Sequence, residues 1–313
     1  MSVIAVAGGT GGVGKTIVET LVDDPTFTVI VLSRGQAKQD ELFKKIQQVQ
    51  IDYEDVPSMT QQLERHNIHT IISAIGLISE DSSQSQLNLI DAADKSQSTR
   101  RFIPSEYSFI QTPDLLPVDP SIQFWLDAAS RLKSSSLEYT RVIPGFFMDY
   151  WGMPHVRTNL QPYTFGIDIT SGTAAIPGDG NDVIGMTYTY DMAAYVVHAL
   201  RLSEWPEFSV VVGDEVTYNQ ILHIAEEIWG KKFDVTYDTV DQVNKGDVTV
   251  PPMPNTLGYS TDDLKEVTAL VSRLIINKVF ELPKKDRLNT RFPDVKPITM
   301  KRFLEKAWGN HRS

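Results

Sequence analysis

A glycine-rich segment near the start of the chain has the residue types and spacing suited to holding a phosphate. Residues 8–16 read GGTGGVGKT and lie between an apolar stretch, Val3 to Ala7, and an amphipathic pattern that begins at Ile17. This order predicts a strand, a glycine turn and a helix, in which backbone N–H groups face a phosphate with no Cβ atom in the way. We expect nucleotide phosphates to be held by Gly8, Thr10, Gly11, Gly12, Val13 and Gly14.

The same segment fits three motifs that imply two kinds of nucleotide. GxGxxG and GxxGxxG, both ending at Gly14, are typical of dinucleotide-binding folds, whereas GxxxxGK[ST], ending at Thr16, is typical of nucleotide triphosphatases. A triphosphatase also needs a second strand that ends in an acidic residue to hold Mg²⁺. Among the predicted strands, only the short third one ends in an acid, Asp52. We therefore favour a dinucleotide and interpret Lys15 as a solvated surface residue.

The end of the second predicted strand, Phe27 to Leu32, indicates which dinucleotide is bound. In dinucleotide-binding folds, a residue about 20 positions beyond the glycines meets the adenosine ribose. An acid there would bind the 2′-hydroxyl of NAD, but this chain has Arg34, which offers a charged fork to a 2′-phosphate. Ser33 and Lys38 are close enough to assist, and Asp52 is expected to meet the adenine edge. The sequence therefore predicts NADP(H).

Composition excludes several other classes of protein. The 313 residues are 41% hydrophobic and 22% charged with a net charge of −11, which argues against binding nucleic acid or an anionic membrane. Cysteine is absent, so disulfides and thiolate metal sites are excluded. His66 and His69 lack a nearby third ligand, so no metal site is expected. No signal peptide or apolar run of about 18 residues is visible, and we expect a cytoplasmic protein.

Apolar strands alternate with helical patterns through the first half of the chain. The strands are predicted at residues 3–7, 27–32, 49–51, 69–76, 101–104 and 137–143, with helices between them, including one around residues 42–46. This alternation indicates an α/β protein with a doubly wound parallel sheet (a Rossmann fold) and a smaller C-terminal α+β lobe. We expect residues 1–150 to bind NADP(H), with 185–215 returning to that domain, and residues 151–313 to form the substrate lobe.

The later helices are predicted at residues 191–202, 218–229, 261–280 and 300–308. Ser260 and Asp263 are spaced to form a capping box for the third of these.

Five short motifs resemble those of the atypical short-chain dehydrogenases that include isoflavone reductase-like and NmrA-like proteins. They are GGTGGVG, LSR, ISAIG, RRFIPSEYS and EYTRVIPGFFMDYW, and the resemblance spans residues 2–155. It implies the strand order 3-2-1-4-5-6, a preference for NADPH and a small substrate lobe. It also implies a set of residues around the cofactor. Ser73, Ala74, Ile75, Pro104 and Ser105 would line it, with Gly145, Phe146 and Phe147 near the nicotinamide.

Candidates for proton transfer are less clear. The Tyr-x-x-x-Lys pair of typical short-chain dehydrogenases is absent, and the positions that match the lysine of isoflavone reductase-like enzymes hold Trp125 to Asp127. Asp127 could take the place of that lysine, but we favour its interpretation as an acid on the helix surface. Tyr107 could donate a proton or a hydrogen bond to substrate. Lys133 is the one lysine of the helix predicted before the sixth strand. It is a candidate for catalysis, but we favour its interpretation as a solvated partner of the helix dipole.

An aromatic cluster follows the sixth predicted strand. Phe146, Phe147, Tyr150 and Trp151 could pack a flat substrate against the nicotinamide, or form the core that joins the lobes. The leading hypothesis is an NADPH-dependent reductase of a small aromatic or conjugated metabolite. Two alternatives stay open, a non-catalytic NADP(H)-binding redox sensor and an isomerase or cyclase. A small-molecule substrate is expected, and a homodimer or a complex with a partner protein is left open.

Overall fold

The computed structural model describes residues 2–254 and 258–311. The chain divides into two compact units. Unit 1 comprises Met1–Ile143 and Met192–Val210, and unit 2 comprises Pro144–Asp191 and Val211–Ser313. The aromatic residues that follow the sixth predicted strand therefore belong to unit 2.

Unit 1 is built on a six-stranded parallel sheet. Its strands are β1 (Ser2–Ala7), β2 (Phe27–Ser33), β3 (Gln47–Gln50), β4 (Thr70–Ser73), β5 (Arg101–Ile103) and β6 (Glu138–Tyr139). Their order is β3-β2-β1-β4-β5-β6, which confirms the predicted order, and every pair is parallel. The central strands are almost wholly buried, as a sheet covered on both faces requires. The doubly wound Rossmann fold is confirmed.

Helices connect these strands. They are α1 (Gly12–Val22), α2 (Val56–Arg65), α3 (Glu80–Lys95) and α4 (Gln123–Lys133), with short 3₁₀ helices at Phe43–Lys45, Pro113–Leu115 and Pro120–Ile122. Side chains such as Ala5, Leu32, Ile71 and Phe102 form the core of the sheet. Asp119 accepts a hydrogen bond from the Ser121 amide at the start of the turn that leads into α4, as its N-cap position predicts.

Two details of the predicted fold are wrong. The helix expected around residues 42–46 is a single 3₁₀ turn, Phe43–Lys45, because the backbone becomes extended at Ile46 and enters β3 at Gln47. The sixth predicted strand is two strands, since pairing changes at Thr140: β6 pairs with β5, whereas β7 (Arg141–Ile143) pairs with a strand over Phe208–Val210.

Unit 2 contains two three-stranded mixed sheets. Its strands are β8 (Phe146–Phe147), β9 (Ile167–Asp168), β10 (Thr173–Pro177), β11 (Ile184–Thr187), β13 (Asp214–Val216) and β14 (Asp234–Asp238), while β12 is the Phe208–Val210 strand of unit 1. One sheet has the order β14-β10-β9 and the other β13-β11-β8. Mixed sheets with separate helices make this an α+β unit, as predicted.

The remaining helices are α5 (Asp149–Gly152), α6 (Thr189–Ala199), α7 (Tyr218–Trp229), α8 (Val240–Lys245), α9 (Thr261–Ile276), α10 (Leu288–Arg291) and α11 (Met300–Trp308). Of these helices, α6, α7, α9 and α11 were predicted from the sequence pattern, and the short helices α5, α8 and α10 were not. The capping box of Ser260 and Asp263 is confirmed, with the Asp263 amide donating to Ser260 Oγ at 3.2 Å. Within the described residues, every helix is too short or too polar to cross a membrane.

Candidate functional site

The glycine loop between β1 and α1 allows three backbone segments to approach closely. A Cβ atom on Gly14 would lie 2.4 Å from the Gly8 carbonyl oxygen, and one on Gly8 would lie 2.5 Å from the Ala74 carbonyl oxygen. Gly11 and Gly12 differ, because a Cβ atom on either would meet no other atom within 4 Å. The first pair of glycines is therefore required for packing, and the second leaves open space at the N-terminus of α1, where a phosphate is favoured.

This loop borders a cleft of about 1130 Å³ at the carboxyl ends of the parallel strands, the usual ligand position in this fold. Most predicted cofactor residues line it, namely Gly8, Thr10, Gly11, Gly12, Val13, Ser33, Arg34, Ala74, Ile75 and Ser105. Three others, Gly14, Ser73 and Pro104, are buried and do not line the cleft. The cofactor-binding role of each residue stays a prediction.

The loop after β2 presents Arg34 to the cleft. The side chain is exposed and has no carboxylate partner within the described residues. Gln50 Nε2 donates to the Arg34 carbonyl oxygen at 3.1 Å. Gln48 holds Lys38, accepting from its amide at 2.7 Å and donating to its carbonyl at 3.0 Å. Two glutamines of β3 thus hold the backbone of the loop after β2. Its side chains Arg34 and Lys38 line the cleft, where they can bind an anion.

Asp52 lies beside this cleft rather than in it. It lines an adjoining cavity of about 740 Å³ together with Arg34 and Tyr53. Its Oδ1 accepts a hydrogen bond from the Glu54 amide at 2.9 Å, which shapes the turn after β3. The predicted contact with the adenine edge stays a prediction.

The residues that a triphosphatase would use are placed elsewhere. Lys15 does not line the cleft. Thr16, whose hydroxyl would hold Mg²⁺, is fully buried and bonds back to the Gly12 carbonyl at 3.4 Å. This arrangement favours the dinucleotide over the triphosphate.

The loop after β5 is held at three successive residues. The Ser105 amide donates to Gln86 Oε1 at 2.8 Å, and Tyr107 Oη donates to the Ser73 carbonyl at 2.9 Å. Glu106, between them, forms a buried pair with Arg141. Two buried atoms beside this loop, Ser73 Oγ and Gln86 Nε2, have no hydrogen-bond partner within residues 2–254 and 258–311.

The two predicted proton-transfer residues occupy different environments. Tyr107 lines the cleft, but burial raises the pKa of its hydroxyl well above the ordinary value, and that hydroxyl is engaged with Ser73. Lys133 is exposed in the last turn of α4 and does not line the cleft. The structure thus favours a positioning role for Tyr107, and both catalytic roles stay predictions.

The predicted aromatic cluster is a packed network within unit 2. The Phe146 ring contacts the rings of Trp151 and Phe165 with centroids 5.3 and 4.9 Å apart, and Tyr150 contacts Phe165 at 4.7 Å. Burial raises the pKa of Tyr150 to about 12. Phe146 and Phe147 are buried, so a core role for them is evident, and Gly145 is fixed by close approach to the Gly185 carbonyl.

A second cavity, of about 600 Å³, lies in unit 2, and we refer to it as the aromatic cavity. Its aromatic lining residues are Tyr150, Trp151, Tyr163 and Trp308. Two of the three predicted substrate residues, Tyr150 and Trp151, therefore line this cavity. Phe147 does not line this cavity. The described residues contain no group of three or more side chains that could hold a metal ion.

Sequence reasoning missed the residues that support the cleft. Gln48, Gln50 and Gln86 act through long-range hydrogen bonds that no local motif signals. One feature of the sequence could have indicated a role for Glu106: it is an acid inside the PSEY motif, close to the end of a predicted strand. Its partner, Arg141, could be found only once β7 was placed.

Comparison with known proteins is consistent with this geometry. The model of the NmrA-like family matches residues 1–278. This chain belongs to the NmrA-like family. The resemblance seen in the short motifs is therefore confirmed, and it extends well beyond residue 155.

Curated relatives and solved structures give the same picture of this NmrA-like protein. It is 39% identical to "Oxidoreductase BOA1" of Botryotinia fuckeliana, covering 74% of this chain and 77% of that one. It is 30% identical to "Oxidoreductase swnN" of Metarhizium robertsii, covering 98% of both. A solved complex of leucoanthocyanidin reductase with NADPH from Vitis vinifera has 17% identity and a TM-score of 0.72, covering 97% of this chain and 99% of that one.

Proposed function

We propose that this protein is an NADP(H)-dependent oxidoreductase that reduces a small aromatic or conjugated metabolite. The observation that carries the proposal is the guanidinium of Arg34, which has no carboxylate partner in the described part of the chain and lies on the same cleft as the glycine loop. An arginine at the end of β2 matches the charge and shape of a 2′-phosphate.

The residues of unit 1 fit this cofactor. Gly11 and Gly12 leave room for a pyrophosphate at the N-terminus of α1, where backbone amides and the helix dipole favour negative charge. Arg34, with Lys38 nearby, would bind the 2′-phosphate. Ala74, Ile75 and Ser105 continue the cleft past β4 and β5. When bound, the reduced cofactor supplies a hydride.

The chain itself positions the reactants and excludes water. Tyr107 would hold the end of β4 through its hydrogen bond to Ser73. A water molecule is then the proposed source of the proton, because burial makes the Tyr107 hydroxyl a poor acid. The aromatic cavity of unit 2 is the proposed substrate-binding pocket, and its volume suits a ring system.

The relatives support an enzyme over the two alternatives. Both fungal relatives described above are named oxidoreductases, and the related reductase from Vitis vinifera is solved with NADPH. A sensor or an isomerase would not account for those names.

The test uses the purified full chain with NADPH and a panel of aromatic enones, carbonyls and imines. Loss of the reduced-nicotinamide absorbance with at least one compound is expected, with slower oxidation of NADH. The Gly11→Ala variant, which blocks the proposed phosphate position, serves as the matched control. Failure of every compound to oxidise NADPH, despite tight NADPH binding, would contradict the proposed reduction.

A further inference from the structure

The charge on the lining of the aromatic cavity is negative. Among the described residues that line this cavity, Asp168 is the one that is formally charged, and none is a Lys, Arg or His. A neighbouring cavity of about 530 Å³ shares Tyr150 and Tyr163 with it. Of the residues 2–254 and 258–311, those that line this neighbour include two charged ones, Asp263 and Glu266, and no basic one.

Asp168 has acceptor capacity left for a ligand. It ends β9 at a tight turn, where its Oδ1 accepts from the Thr170 amide at 3.0 Å. The side chain is half-buried and forms no ion pair within the described residues. Lys231 packs near the same turn, beside Gly172, but its Nζ lies 4.2 Å from the centre of the Trp229 ring. One carboxylate oxygen of Asp168 is therefore not used by the turn.

We propose that the aromatic cavity selects a ring-bearing ligand whose nitrogen carries a positive charge, an inference that rests on the proposed function of this cavity as the substrate site. Aromatic faces attract a cation, and a half-buried carboxylate strengthens that attraction. The same groups oppose an anion, because no cation in the lining offsets its loss of water. A protonated amine or an iminium attached to an aromatic or alicyclic ring fits this chemistry.

The size of the cavity agrees with such a ligand. About 600 Å³ lies within the usual range for small-molecule pockets. Trp151 and Trp308 supply two indole rings, linked by the hydrogen bond from Trp308 Nε1 to the Trp151 carbonyl at 2.8 Å. This bond fixes the Trp308 ring, while the Trp151 ring packs against the rings of Phe146 and Tyr218 with centroids 5.3 and 6.2 Å apart.

The experiment compares three probes that share one ring system and differ in charge. They are 2-(aminomethyl)naphthalene, 2-naphthylmethanol and 2-naphthoate, titrated calorimetrically into the full chain with NADP⁺ present. The amine is expected to bind roughly tenfold tighter than the alcohol, and the carboxylate more weakly than both. Equal affinity for the amine and the carboxylate would overturn the inference without any variant.

Asp168→Asn tests the contribution of the negative charge alone. Asparagine keeps a side-chain oxygen that can accept the hydrogen bond from the Thr170 amide, so the turn is preserved. This variant is expected to lose roughly tenfold affinity for the amine and little for the alcohol. Asp262→Asn, an exposed acid in the first turn of α9, is the control and should change neither. An equal loss for amine and alcohol in Asp168→Asn would overturn the inference.

Failure of this inference can be told apart from failure of the proposed function. NADPH affinity and NADPH oxidation are measured on the same preparations. If NADPH is bound and oxidised but the probes show no preference for positive charge, only the inference fails. If NADPH is not bound, the proposed function fails, and the inference, which rests on it, is overturned with it.

Discussion

Arg141 donates two hydrogen bonds to Glu106, one to each carboxylate oxygen and each 2.6 Å long. Both side chains are buried, with 5% of Arg141 and 2% of Glu106 exposed. The pair joins the first residue of β7 to the loop that carries Ser105 and Tyr107. The Arg141 guanidinium also lies over the Phe208 ring at 4.6 Å. A buried ion pair thus anchors one wall of the proposed cofactor cleft.

Removing one member of this pair should be costly. Glu106→Gln leaves the Arg141 charge buried without its counterion, and we expect the free energy of unfolding to fall by about 3–5 kcal/mol. Glu207→Gln is the matched control, because Glu207 lies 3.9 Å from the same guanidinium but is 56% exposed, and it should cost about 1 kcal/mol or less. Urea unfolding measures both, and equal effects would contradict the anchoring role.

The two kinds of glycine in the loop should respond differently to a methyl group. Gly14→Ala would place Cβ 2.4 Å from the Gly8 carbonyl, and we expect a loss of stability of about 3 kcal/mol or more. Gly11→Ala meets no atom within 4 Å, so stability should fall by about 1 kcal/mol or less while NADPH affinity falls sharply. Thermal unfolding and NADPH titration check both variants. Unchanged NADPH affinity in Gly11→Ala would argue against a phosphate at this position.

Tyr107→Phe tests positioning against proton transfer. Loss of the buried hydrogen bond to the Ser73 carbonyl should lower the free energy of unfolding by about 1–3 kcal/mol. Because burial raises the pKa of Tyr107, the variant should keep the shape of the pH–rate profile of reduction, with a raised KM for NADPH. Disappearance of a limb of that profile in the variant would instead identify Tyr107 as the proton donor.

The buried carboxylate of Asp149 should make stability depend on pH. Burial raises the pKa of Asp149 above its ordinary 3.8, despite hydrogen bonds from Thr158 and Thr189. A group whose pKa is raised on folding contributes stability fully below 3.8 and loses it as pH rises through the folded-state pKa. The unfolding free energy of the wild type minus that of Asp149→Asn should therefore decrease as pH rises through that window.

Asp179→Asn provides a control of opposite sign. Hydrogen bonds from Asn181 lower the pKa of this exposed carboxyl group, so its contribution is present above pH 3.8 and lost as pH falls through the folded-state pKa. Urea unfolding of the wild type and both variants across acidic pH gives, for each variant, the slope of that free-energy difference (wild type minus variant) against pH. Slopes of the same sign would contradict the assignment for Asp149.

Much of unit 1 could be predicted from sequence because its signals are local. The glycine spacing, the apolar strands and Arg34 at a strand end depend on neighbours along the chain, and the structure places Gly8, Gly11 and Arg34 on one cleft. The strand order followed from the family resemblance. Helices α7 and α11 match residue for residue, because their apolar residues recur at helical spacing; in α7, Thr217 and Gly230 also cap the two ends.

The remaining features depend on contacts between distant residues. The break at Thr140 arises because β7 finds a partner, the Phe208–Val210 strand, far along the chain. The glutamines that hold the Arg34 loop, and the pairing of Glu106 with Arg141, have no signature in their own segments. The aromatic cluster was ambiguous for the same reason, and the structure divides it, with Phe146 in the core and Tyr150 on a cavity.

The central claim is that Arg34 recognises the 2′-phosphate of NADP(H), and calorimetric titration of NADPH and NADH into the wild type and Arg34→Ala tests it most directly. Loss of a charge-assisted contact should weaken NADPH binding by roughly ten- to a hundredfold and leave NADH binding nearly unchanged. Arg65→Ala, which removes an exposed arginine at the end of α2 outside the cleft, should alter neither affinity. Equal affinities of the wild type for NADPH and NADH, or an Arg34→Ala variant that binds NADPH as tightly as the wild type, would contradict the claim.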